Sequence, residues 1–136
     1  MRQLVIWSES LAVHVDKIDD QHKELYRRMN EIVNAVMDGK AKEEINDFTR
    51  FLVEYTDFHF RDEESLMTQH AYPGYNAQKS AHDYFRKEVQ KMRQDISGGG
   101  VAGEVVTQVV LKLGNWFNDH IRRMDRELGQ FLKPKM

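Results

Sequence analysis

Apolar residues recur along this chain at intervals of three and four over long stretches, and strand-like alternation is confined to the first fifteen residues. Four helices follow from that spacing. The first is expected over about 19–37, with Leu25, Tyr26, Met29, Ile32, Val33 and Val36 on one face, and "DGK" at Asp38 to Lys40 ends it. The second covers about 42–69, with Ile45, Phe48, Leu52, Tyr55, Leu66 and Met67 inward. "AYPG" then breaks the chain, because the residue before proline disfavours helix and glycine follows. The third covers about 75–96 and is closed by "SGGG"; the fourth covers about 103–128, with Val106, Val109, Val110, Leu113, Phe117 and Met124 inward. Short connections between long amphipathic helices favour antiparallel neighbours. The expected fold is therefore all-α, an up-down-up-down antiparallel four-helix bundle in a single domain over 1–136. Residues 1–18 read as an N-terminal arm on the outside, anchored by Ile6, Trp7 and Leu11.

Each apolar stripe is interrupted by polar residues. On the third helix the stripe reads Tyr75, Gln78, His82, Phe85, Val89, Met92, so an amide and an imidazole face the core one turn apart. His22 precedes Leu25, Tyr26 and Met29; His59 and Glu63 continue the line of Phe48, Leu52 and Tyr55; His120 follows Leu113 and Phe117, with Asp125 beyond. Residues four apart on a helix differ by about 40° in direction, so His59 with Glu63, and Gln78 with His82, can address one point. His120 and Asp125 are five apart, about 140° on an ideal helix. That pair needs either a local widening of the helix or an approach from opposite sides of a ligand.

A lone core histidine is more often hydrogen-bonded than a metal ligand. His14, in the arm, and His70, in the turn before Pro73, take that plain reading, and Glu63 sits in "RDEE", the kind of charged run that is usually a solvated face. One histidine on the apolar face of every helix, together with two carboxylates, is harder to explain without a ligand. Buried carboxylates need cations or donors, and buried neutral imidazoles offer lone pairs to metals. A metal centre satisfies all of them at once.

Composition narrows the chemistry. The chain has no cysteine, which excludes disulfides, thiolate metal sites, iron–sulfur clusters and thiol nucleophiles. Four imidazoles and two carboxylates exceed what a tetrahedral zinc takes. Nitrogen donors favour iron, copper or zinc over magnesium or calcium, and carboxylates can bridge two cations, so two octahedral irons account best for the set. The Glu-x-x-His pairs of ferritin-like di-iron bundles are absent. A net charge of −2 gives no case for nucleic acid or an anionic membrane as partner. No apolar run approaches the ~20 residues of a membrane span, and the expected location is the cytoplasm.

The motifs "DDQHKEL", "HFRDEESLM", "AYPGY", "AHDYF" and "NWFNDHIRRMD", with the "VIWSESLAVHV" arm, resemble the hemerythrins, specifically the single-domain bacterial ones, over nearly the whole chain. The resemblance implies a non-haem di-iron centre with an oxo or hydroxo bridge that binds O2 reversibly. His22 and His59 would hold the iron with the open position for O2, and His82 and His120 the other. Glu63 and Asp125 would bridge them, His120-x-x-x-x-Asp125 matching the family's own spacing. The sequence departs where the family usually shows His-x-x-x-His on the third helix, since it reads Gln78-x-x-x-His82; Gln78 would meet the second iron directly or through water.

The leading function is O2 binding, as carrier, store or sensor, with Leu25, Tyr26, Phe58, Phe85 and Trp116 as the expected hydrophobic lining. The alternative is a di-iron redox enzyme acting on peroxide or nitric oxide, with an exchangeable position at each iron and with Tyr26 or Tyr55 as the nearest acid–base candidates. A third is a regulatory module reporting O2, nitric oxide or redox state to a protein partner that the sequence does not identify. Ligands of all three are small diatomics or anions.

Overall fold

The structure, a computed structural model, describes residues 3–98 and 103–136. Four helical rods pack as an antiparallel bundle: α1 (Asp16–Met37), α2 (Lys42–Gln69), α3 (Tyr75–Ser97), and a fourth rod made of α4 (Gly103–His120), a π-helical turn (Ile121–Asp125) and α5 (Arg126–Leu132). α1 packs on α2 and α4, and α3 packs on α2 and α4, so every rod has two neighbours and the apolar faces close on one core. Residues 99–102, which hold Gly99 and Gly100 of the expected "SGGG" stop, lie outside the described residues, as do the first two of the arm.

The helix stops use backbone closure. After α1, Gly39 takes φ 68°, the Lys40 N–H reaches the Ala35 carbonyl at 2.9 Å and the Gly39 N–H reaches Val36 at 3.2 Å, a Schellman closure. After α2 the same pattern recurs with Ala71 at φ 52°, and the Tyr72 N–H bonds the Met67 carbonyl at 2.8 Å. Alanine there forgoes the freedom that makes glycine usual in the left-handed region, and Pro73 then prevents continuation.

Two helix bounds differ from the sequence expectation. α1 starts at Asp16 because Ile18, 1% exposed, begins the buried stripe one turn ahead of His22 and Leu25. The fourth rod runs on to Leu132, with Leu128 and Leu132 fully buried. The extra residue of the π turn rephases the stripe, so a reading at constant 3.6-residue period loses it there.

The arm has no strand pairing among its described residues. The Asn30 side chain stands in for one: its Oδ1 accepts from the N–H of Leu4 (2.9 Å) and Val5 (3.0 Å), and its Nδ2–H donates to the Val5 carbonyl (2.8 Å). Asp19 likewise accepts from the N–H of Val13 (2.8 Å) and His14 (3.1 Å) at the start of α1. Val5, Leu11, Val13 and Val15 are buried, whereas Ile6, expected as an anchor, is 58% exposed. The extended chain alternates sides, and pinning Val5 inward turns Ile6 outward.

Candidate metal centre

Six side chains from all four rods converge in the bundle interior: His22 from α1, His59 and Glu63 from α2, His82 from α3, and His120 from the last residue of α4 and Asp125 from the last residue of the π turn. All six are buried, His120 the least so at 4% exposed. They divide into two groups, His22–His59–Glu63 and His82–His120–Asp125, and the donor atoms within each group lie within 4.8 Å of one another.

The carboxylates join the groups. Glu63 Oε2 is 3.6 Å from His22 Nε2 and 3.5 Å from His59 Nε2, while its Oε1 is 3.2 Å from His82 Nε2. Asp125 Oδ2 is 3.2 Å from His22 Nε2, while its Oδ1 is 3.2 Å from His120 Nε2. Each carboxylate therefore gives one oxygen to each half. Donors bonded at about 2.0–2.2 Å to one first-row ion, at octahedral right angles, lie roughly 3 Å apart, close to these spacings.

His120 and Asp125 share the site because the helix widens between them. The π turn inserts one residue into the rod, so five residues do the angular work of four. His59 and Glu63 reach the same end on regular helix, four residues apart.

Hydrogen bonding leaves the inward atoms without partners. Nε2 of all four histidines, both Glu63 oxygens and Asp125 Oδ2 are buried with no hydrogen-bond partner among the described residues. Such a concentration of orphaned donors and acceptors is costly in a core. The donor set fits a pair of bridged cations: imidazole nitrogens for first-row metals, carboxylates to span and neutralise them.

In the metal-free chain protons take part of that role. Burial works against charging His22 and His82, but Asp125 and Glu63 beside the first, and Glu63 and Glu64 beside the second, outweigh it and push both up to about 9. His59 goes the other way, burial lowering it to about 4. Burial and the neighbouring Asp125 oppose ionisation of Glu63, yet the surrounding imidazoles hold it below the ordinary carboxylate range; Asp125 is held well below as well, by His120 and His22 against its burial.

Outside the ligands lies a layer that the sequence reading missed. Gln21 Oε1 is 2.7 Å from His59 Nδ1, and its Nε2–H donates to Asp62 at 2.7 Å, which in turn meets Lys17 at 3.1 Å. Glu64 Oε2 is 2.8 Å from His82 Nδ1, and Arg86 donates to both Glu64 oxygens at 2.9 and 3.2 Å. Gln21 was legible as a polar residue one turn before Leu25; Glu64 was hidden within "RDEE".

Aromatic rings fill the remaining walls. Phe60 stacks on His82 with centroids 3.9 Å apart, Trp116 stacks on His120 at 4.9 Å, and Phe117 and His22 meet in a T-shaped contact at 5.3 Å. Phe58, expected in the lining, is 52% exposed and packs on Tyr55 at the surface. Phe60, two residues on, takes the inward place: His59 commits that turn of α2 to the core, and Phe58 falls on its far side. Thr56, one turn before His59, is also fully buried, with an unpartnered hydroxyl.

The other sequence-selected residues fall as follows. Gln78 is 1% exposed, donates from Nε2–H to Asp125 Oδ1 at 3.0 Å and keeps Oε1 buried without a partner among the described residues. His14 is exposed in the arm and His70 sits at the end of α2; neither belongs to a donor group among the described residues. The Tyr26 hydroxyl donates to Asn118 Oδ1, and Tyr55 is half-buried beside Arg28, so the two acid–base candidates are engaged elsewhere.

Comparison with known proteins places these features in context. Residues 13–132 match the family model described as "Hemerythrin HHE cation binding domain". The chain is 31% identical to a bacteriohemerythrin of Pseudomonas aeruginosa (strain LESB58) over 89% of its own length and 76% of the relative's. It is 27% identical to a bacteriohemerythrin of Stenotrophomonas maltophilia (strain R551-3), over 98% and 84% of the two chains, and 27% identical to a myohemerythrin of Sipunculus nudus, over 88% and 87%. The crystal structure of a wild-type hemerythrin superposes with a TM-score of 0.85 at 24% identity, covering 93% of this chain and 96% of that one, a likeness of fold.

Proposed function

The chain belongs to the hemerythrin family, and from that membership we infer that it binds O2 reversibly at a non-haem di-iron centre, as a carrier, store or sensor and not as an enzyme. The observation that carries the reading is the pair of carboxylates, each offering one oxygen to each of two histidine pairs. His22 and His59 would hold one iron, His82 and His120 the other, with Glu63 and Asp125 spanning both. When bound, the iron pair supplies reversible electron donation to O2, which side chains alone do not.

The protein's part is to hold, orient and exclude. Gln21 and Glu64 engage the Nδ1 of His59 and His82, which leaves each Nε2 lone pair aimed inward. The two carboxylate charges offset much of the cations' charge, which makes binding in a core tolerable. Phe60, Phe85 and Phe117, all fully buried, keep bulk water and its protons from the interior. Peroxide or nitric oxide turnover is less well supported, because Tyr26 and Tyr55 are engaged elsewhere. No helix among the described residues is long and apolar enough to cross a membrane; a cytoplasmic location is our proposal and rests on sequence composition.

Purification without oxygen, iron analysis and visible spectra on cycling between O2 and argon test the reading. Two irons per chain and a band that appears with O2 and disappears under argon are expected. A colourless protein without iron, or irreversible bleaching on the first exposure, would overturn it.

A further inference from the structure

The two halves of the centre receive the same protein donors: two imidazoles, one oxygen of Glu63 and one of Asp125. An octahedral ion has one more position than those atoms and a bridging oxygen fill. What borders that position differs. At the first half Phe117 meets His22 in a T-shaped contact. At the second, Gln78 lies one turn before His82, 1% exposed, with its Nε2 3.0 Å from Asp125 Oδ1.

Asp125 fixes which way the amide points. Turned around, Gln78 Oε1 would face a carboxylate oxygen, acceptor against acceptor. With Nε2–H given to Asp125 Oδ1, Oε1 stays buried with no hydrogen-bond partner among the described residues. A buried acceptor of that kind calls for a donor. In the loaded centre the imidazoles of His82 and His120 would supply none, since their Nε2 lone pairs would be given to the ion.

We propose that the second ion carries an exchangeable position beside Gln78 that takes a small protic ligand, water or hydroxide at rest, whose O–H donates to Gln78 Oε1. This rests on the di-iron reading given above. The consequence is selectivity: an aprotic anion can enter the position but leaves Oε1 unpaired, and should bind there about tenfold more weakly than at the first half. Direct coordination by Oε1 is the competing arrangement, and it would fill the position.

Azide is the probe. The oxidised, iron-loaded protein is titrated with it and followed by calorimetry and by the visible charge-transfer band, with iron measured in every sample. We expect two azides per chain in the wild type, the second about tenfold weaker. Gln78→His, whose imidazole fills the position, should bind one. Gln78→Leu, which removes the acceptor, should bind two with the gap in affinity closed. A single azide in wild-type protein that holds two irons overturns this proposal alone, as does an unchanged gap in Gln78→Leu. Fewer than two irons per chain in the wild type overturns the di-iron reading and this proposal with it.

Discussion

The histidines of the two halves of the centre are backed differently. His59, in the first half, rests on a neutral amide, Gln21, which passes the contact on to Asp62 and Lys17 near the surface. His82, in the second, rests on the carboxylate of Glu64, itself clamped by Arg86. An amide orients the ring it touches; a carboxylate also makes the opposite nitrogen a stronger donor. Outer contacts would therefore concentrate the hold on a metal in the second half, which is also the half bordered by the amide of Gln78. The first half has the looser support and an apolar neighbour in Phe117, an arrangement suited to exchange of an uncharged gas.

Removing what the halves share should do most damage. With Glu63 spanning the pair as proposed, Glu63→Ala would deprive both ions of an oxygen and of half the carboxylate charge. Metal analysis should find the pair lost from most chains, and full retention of both irons would remove Glu63 from the bridging role.

The comparison itself is sharpened by changing one backing residue at a time. Glu64→Gln keeps shape and removes the charge, and iron affinity at the second half should fall about 10–100-fold, the usual cost of a lost outer contact. Gln21→Leu should cost less, since it removes only orientation. Competition with a chelator measures both; equal losses would mean that charge behind His82 is not what distinguishes the halves.

A smaller effect concerns pH and the metal-free chain. His22 and His82 are raised from an ordinary 6.5 to about 9 in the folded state. A base raised on folding stabilises the fold fully below its unfolded value and loses that contribution as pH rises through the folded one. The metal-free protein should therefore lose Tm between about pH 6.5 and 9. His59, lowered to about 4, contributes the opposite slope, a loss as pH falls from 6.5 toward 4. Iron replaces the two protons, so the loaded protein should show no alkaline decline in calorimetry over that window. An alkaline decline of equal size in both forms would contradict this.

The smallest effect is the absence of one. His14→Ala and His70→Ala should leave iron content and spectrum unchanged, because one side chain is exposed in the arm and the other sits at the end of α2. Iron lost from either variant would mean that a seventh protein group reaches the centre.

The long helices were readable because a 3.6-residue repeat survives over many turns, and a histidine on such a stripe stands out against its apolar neighbours. The outer contacts were not, because Glu64 looks like any other member of a charged run and only the packing of α3 against α2 brings it to His82. Phe58 and Phe60 differ by two positions, enough on a helix to exchange surface for core, and the charged stretch that follows them gives no phase. Ile6 and Val5 exchange roles for a similar reason in the arm, where the Asn30 side chain decides which one turns inward. The five-residue interval from His120 to Asp125 was visible as a misfit of about 140°; that the helix itself widens to absorb it is a property of the folded rod.

The central claim is that two irons lie side by side, each held by one histidine pair and both spanned by Glu63 and Asp125. Anomalous diffraction from crystals of the iron-loaded protein, collected on either side of the iron absorption edge, tests it most directly. Two iron peaks are expected, one against His22 and His59 and the other against His82 and His120, with Glu63 and Asp125 touching both. A single peak, or a second one away from either carboxylate, would contradict it.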